Sequence, residues 1–173
     1  MGEDGLMADD LTEETLTEDD VDFAVAAYRE EGRWIVATLP ARVATTTDRF
    51  IASLRQLPGE GGVFGFACIA EEFFVIVRTT PGGVRGVISD GMAILDWSLA
   101  EELADAIGLD WDEDDLEEFV PEGDLAVCAD FGLAADELQM TCEDEDLLPA
   151  EQVRAIAKRM GFGAEMASVL RSR

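Results

Sequence analysis

Three apolar runs crowd residues 63–89, and the gaps between them leave room for little but a meander. Residues 63–70 and 73–79 are separated only by Glu71 and Glu72, and residues 84–89 follow across Pro81-Gly82-Gly83. β-branched and aromatic residues dominate each run, which favours extended backbone. Parallel neighbours need crossovers of a dozen or more residues, so strands joined this tightly must pair antiparallel. Upstream, residues 23–28 and 33–39 flank Glu31-Gly32 and read as a hairpin. By the two-residue period, Phe23, Val25 and Ala27 share one face, and Ala24, Ala26 and Tyr28 share the other.

Two helices interrupt and close this set of strands. Residues 46–57 carry Phe50, Ile51, Leu54 and Leu57 at i, i+1, i+4 and i+7, ended by Pro58-Gly59. Ser98-Leu-Ala-Glu101 reads as a capping box opening a second helix, with Leu99, Leu103 and Ile107 on its stripe and Gly108 as its stop. The expected order over residues 23–108 is β-β-α-β-β-β-α, an α+β fold with a five-stranded antiparallel sheet. That order resembles the roadblock/profilin-like arrangement, an analogy of fold that carries no function.

The chain divides into four parts. Residues 1–21 are acidic, threonine-rich and expected to be disordered. Residues 22–109 form the sheet domain, and 110–123 an acidic linker. Residues 124–173 read as helical, over about 124–131, 134–142, 149–160 and 163–170. Four short helices in fifty residues are too few to hold a core of their own, so they are expected to pack on the sheet or on a partner.

Charge is distributed unevenly over these parts. Residues 1–22 hold ten acids and no bases, residues 23–85 six acids and seven bases, residues 86–153 twenty-two acids and no bases, and the last twenty one acid and five bases. A net charge of -27 is thus concentrated outside the neutral strand-rich half. The total excludes a basic nucleic-acid-binding surface and repels anionic membranes. Its localisation points to a surface or segment with a role, against the simpler view that acid only keeps the chain soluble. Eleven of the twelve basic residues are Arg, a bias of high-GC genomes.

What is missing narrows the chemistry. The chain has no histidine, which excludes His-based triads and His-ligated metals. Cys68, Cys128 and Cys142 form no C-x-x-C pair and read as free, reduced, buried thiols of a cytoplasmic protein. Neither a signal peptide nor a span long enough for a bilayer is legible. The run Pro58-Gly-Glu-Gly-Gly62 lacks the Gly-Lys-Ser/Thr of a phosphate loop and follows a helix, so it reads as a flexible turn. An EF-hand started at Asp110 fails at Asp115, where glycine is required, and at Pro121, where a bidentate Glu is required. No catalytic, cofactor-binding or metal-ligating residue is therefore assigned.

Several stretches together carry a family resemblance: Phe23-Ala-Val-Ala-Ala-Tyr-Arg29, Leu54-Arg-Gln-Leu-Pro-Gly-Glu-Gly-Gly62, Phe73-Phe-Val-Ile-Val-Arg78, and Asp144-Glu-Asp-Leu-Leu-Pro149 through Arg159-Met-Gly-Phe-Gly163. Over residues 22–170 the chain resembles the actinobacterial family of tRNA adenosine deaminase-associated proteins. The resemblance implies association with that deaminase and brings no catalytic residues with it. A zinc deaminase needs His/Cys-x-Glu and Pro-Cys-x-x-Cys, and this chain has neither.

The expected function is therefore accessory. The chain would bind a protein partner with a basic surface, the deaminase or another tRNA-handling protein, and engage or mask that surface with carboxylates. The candidate residues are Trp111, Asp112, Glu113, Asp114, Asp115, Glu117, Glu118 and Phe119 in the linker, with Glu143, Asp144, Glu145 and Asp146 further on. A sensing or scaffold module that dimerises through its sheet or a helix, without mimicry of nucleic acid, is the other reading.

Overall fold

The computed structural model describes residues 16–171. The expected disordered tail lies outside the described residues as far as residue 15. From Leu16, which is buried, the chain passes through a 3-10 turn at Glu18–Asp20 into the first strand. The strands are β1 (Val21–Glu30), β2 (Arg33–Thr38), β3 (Glu60–Ile69), β4 (Phe73–Thr80), β5 (Gly83–Ile88) and β6 (Glu122–Gly123). The helices are α1 (Thr47–Arg55), α2 (Ala93–Asp96), α3 (Ser98–Ala106), α4 (Ala135–Cys142), α5 (Pro149–Met160) and α6 (Gly163–Arg171).

All pairings are antiparallel, in the order β2-β1-β3-β4-β5-β6. The meander of β3, β4 and β5 follows from its tight turns, and β1 returns to pair with β3 through Val25↔Phe66 and neighbouring positions. The sheet has six strands where the sequence suggests five. The sixth comes from the acidic linker, where Glu122 and Gly123 pair with Ile88 and Val87 of β5. Two residues carry no alternation to read, so this strand exists only through its neighbour. Two helical expectations also change, and one helix is new. Residues 124–131 form turns ending in a 3-10 turn at Ala129–Phe131, and α2 has no counterpart in the sequence reading. Ser98 lies inside α3, with Trp97 as its N-cap and no side-chain cap, so the capping box does not form.

Both faces of the sheet are covered. On one, Phe50 and Leu54 of α1 and Leu99 and Leu103 of α3 lie over Ala24, Ala26, Val63, Ala67, Val75 and Val77. On the other, Val153, Ile156 and Met160 of α5, Phe162, and Met166 of α6 lie over Val25, Ala27, Phe64, Phe66 and Ile76. A strand buried on both sides needs apolar residues at every position, which explains the near-continuous apolar runs of β3 and β4. Each large side chain so buried contributes about 1.5–3 kcal/mol. The C-terminal helices thus pack on the second face of the sheet.

A buried arginine fastens that helical layer. Arg78 in β4 is 4% exposed, and all five of its N–H groups have acceptors. Its Nε and Nη2 donate to the Gly61 carbonyl (3.2 and 2.6 Å), and Nη1 donates to the Val127 carbonyl (2.9 Å). Nη1 and Nη2 also grip both carboxylate oxygens of Asp130 at 2.7 and 2.8 Å. The guanidinium lies 4.8 Å from the Phe64 ring centre and 5.2 Å from that of Phe131. Phe131 in turn packs edge-on against Trp34 and Phe64. Charge-assisted bidentate bonds of this kind fix orientation as well as adding energy.

Candidate functional site

The linker expected to bind a partner is anchored at alternate points and otherwise open. α3 ends as its glycine predicts: Gly108 adopts φ +71, and the Leu109 N–H reaches back to the Ala104 carbonyl at 2.9 Å. Trp111 is half-buried against the first core and Leu116 is buried in it. Between them Asp112, Glu113, Asp114 and Asp115 are exposed, held in a turn because Asp112 Oδ1 accepts from the Asp114 N–H at 3.0 Å. Glu117 and Glu118 are exposed. Phe119 is 41% exposed, with a backbone φ of +61, a conformation unfavourable for a bulky side chain.

Asp90 holds this strained backbone in place. Its carboxylate accepts hydrogen bonds from the backbone N–H groups of Met92 and Phe119, while the Gly91 N–H donates to the Val120 carbonyl at 2.8 Å. Burial pushes the Asp90 carboxyl above its ordinary range. Its two backbone hydrogen bonds oppose the shift, and the charges of Glu118 and Asp96 add to it. Burial likewise raises Glu122, helped by Asp115. A cavity of about 240 Å³ opens here, lined by Glu72, Asp90, Asp96 and Glu118 around Phe73 and Met92. Sequence spacing does not reveal this clustering, because the turn between β3 and β4, the segment after β5, α2 and the linker contribute one carboxylate each. Among the described residues no group of three or more acids or cysteines is placed to hold a metal ion.

Glu143, Asp144, Glu145 and Asp146 form the exposed turn between α4 and α5. The buried Gln152 hooks this turn to α5, its amide donating to the carbonyls of Thr141, Cys142 and Asp144 at 2.8–3.3 Å. Asp144 Oδ1 accepts from the Asp146 N–H. Glu143 and Asp144 stand at the C-terminal end of α4, where the helix dipole disfavours negative charge. The two acidic stretches are not brought together. The linker is tied to the face bearing α1 and α3, and this turn belongs to the helical layer on the other face.

Few of these carboxylates are neutralised. Among the described residues the ion pairs are Arg78–Asp130, Arg85–Asp124 and Arg159–Glu137, and none reaches a candidate residue. All three cysteines are buried and none is in a disulfide. Burial pushes the Cys128 and Cys142 thiols up to about 12, so neither is a nucleophile at neutral pH. Among the described residues no helix is long and apolar enough to cross a membrane.

Comparison with known proteins gives the family. Residues 22–163 match the family described as Rv3753c-like tRNA adenosine deaminase-associated protein. Protein Rv3753c of Mycobacterium tuberculosis is 39% identical over 150 residues, covering 86% of this chain and 87% of that one. No solved structure matches the chain.

Proposed function

This chain belongs to the family of Rv3753c-like tRNA adenosine deaminase-associated proteins, and we propose that it is a non-catalytic accessory protein that binds a tRNA-handling partner, foremost the deaminase itself. The packed α+β body provides the scaffold. The acidic linker, with Trp111 and Phe119 set among carboxylates, meets a basic surface of the partner and occupies the place of tRNA phosphates there. Glu143, Asp144, Glu145 and Asp146 offer a second acidic contact on the other side of the sheet.

One observation carries this reading: residues 86–153 hold twenty-two acids and no base, and the ion pairs of the described residues engage only three of those acids. Carboxylates left without an internal cation are available to an external one. Association with a tRNA-handling partner supports a cytoplasmic setting.

Calorimetric titration of the full chain with the deaminase of the same organism tests the proposal. Expected is binding that weakens at least about tenfold from low to physiological salt, since exposed charges beyond a Debye length are screened. Replacing Glu113, Asp114, Asp115, Glu117 and Glu118 by their amides should lower the affinity comparably and release tRNA binding by the deaminase. No binding at low salt overturns the reading.

A further inference from the structure

The two edges of the sheet are treated differently. At one, β6 is only two residues long and is followed by Asp124, whose carboxylate pairs with Arg85 of β5. Short and flanked by charge, that edge is a poor template for another strand. The opposite edge, β2, has six residues in unbroken register with β1, from Val25↔Thr38 to Glu30↔Arg33. It contains no proline and no lysine, and Arg33 at its start is its only charged residue. Trp34, Ile35, Val36 and Ala37 are all half-exposed. β1 lies beside β2, and α6 packs against one face of it, where Phe131 and Phe162 also meet the Trp34 ring.

The hairpin turn tells which backbone groups of β2 point outward. Glu31 and Gly32 have φ +53 and +79, a two-residue loop closed by the pair Glu30↔Arg33. Bonded pairs then alternate along an antiparallel ladder, so Arg33, Ile35 and Ala37 bond to β1. The Leu39 N–H donating to the Ala24 carbonyl at 2.8 Å continues that alternation. The N–H and C=O groups of Trp34, Val36 and Thr38 therefore face away from the sheet.

We infer that β2 is a homodimer edge, pairing antiparallel with β2 of a second copy about a two-fold axis at Val36. In that register Val36 meets Val36 of the other copy, and Trp34 meets Thr38 on either side. All three outward-facing residues of each strand are used, giving roughly six interstrand hydrogen bonds. The two sheets become one continuous sheet with an acidic end at each extremity. The outward groups at 34, 36 and 38 are symmetric about Val36, so an identical strand satisfies all of them, and the charge map permits it. For a chain of net charge -27, two copies can meet only where acid is sparse. The acidic linker beyond β6 lies five strand spacings from β2, about 24 Å, well past a Debye length of about 8–10 Å. The pairing is independent of any contact with the deaminase.

Sedimentation velocity and light scattering of the full chain, with amide hydrogen exchange, test this. Expected is a particle of twice 18.8 kDa, with the amides of Trp34, Val36 and Thr38 protected more strongly as concentration rises. Val36→Pro and Thr38→Pro remove outward N–H groups that β1 does not use. Each should raise the dimer dissociation constant at least about tenfold, with unchanged far-ultraviolet circular dichroism. If Val36→Pro fails to fold, Thr38→Pro at the exposed end of the strand decides. A wild-type monomer at all concentrations overturns the inference, as does a dimer that survives Thr38→Pro with the Trp34 and Val36 amides exchanging freely. Protection of β2 that appears only on adding the deaminase assigns the edge to that partner and likewise overturns it.

Discussion

At the scale of single residues, Arg78 concentrates more of the fold than any other polar side chain. A buried guanidinium with every donor satisfied stabilises, whereas one left unsatisfied costs its full desolvation, so the two halves of its ion pair are unequal. Arg78→Met strands the Gly61 and Val127 carbonyls and should cost about 2–4 kcal/mol in urea unfolding. Asp130→Asn removes a carboxylate whose side chain is 57% exposed and should cost less, about 1 kcal/mol. The pH dependence separates the two. The hydrogen bond from Arg78 holds the Asp130 carboxyl below the usual range. Its contribution is therefore present above the unfolded value of about 4 and is lost as pH falls through the lower folded value. The stability gap between wild type and Asp130→Asn should close under acid titration, while the gap to Arg78→Met should persist in part. Nothing in the sequence marks Arg78 or Asp130. They stand 52 positions apart, and only the docking of the helical layer brings them together.

At the scale of elements, legibility followed pattern length. The strands of the meander, the hairpin and α1 announce themselves through alternation, helical stripes and turns, and the structure departs from those readings only at their ends. The run ending in Gly62 shows what pattern cannot supply. Read as a flexible turn, it instead opens β3, where the register with β1 jumps from Tyr28↔Val63 to Arg29↔Glu60. Gly61 and Gly62 are the extra residues of this bulge, at φ +78 and +102. A Cβ on Gly62 would sit 2.6 Å from the Thr79 carbonyl oxygen. Gly62→Ala therefore meets both a left-handed backbone and a rigid obstacle, and should cost about 2–3 kcal/mol. Gly82→Ala is the control, since its nearest atom would be Thr80 Oγ1 at 3.8 Å, and should change stability by less than about 0.5 kcal/mol. Equal losses in thermal unfolding would show that the bulge is not specifically glycine-dependent.

At the scale of the whole molecule, the charge map was the part of the candidate site legible in advance, because charge needs no fold to be counted. The linker's role as the strand capping β5 was hidden because β5 alone defines it. The cavity of carboxylates from four segments was hidden for a similar reason. That geometry also sets solubility against function. If the acids of the linker serve the protein's own stability or solubility, neutralising them should leave the fold unchanged or weaken it. If they are kept for a partner, they repel one another without a neighbouring cation, since none of the ion pairs among the described residues reaches them. Their removal should then stabilise the free protein while weakening its complex. The amide variant at Glu113, Asp114, Asp115, Glu117 and Glu118 is accordingly expected to unfold a few degrees higher than wild type at low salt. Added salt should erase the difference, because screening relieves in wild type the repulsion that substitution removes. A variant that unfolds lower at every ionic strength would mean that these carboxylates support the fold itself, and the linker would lose its standing as a surface held ready for a basic partner.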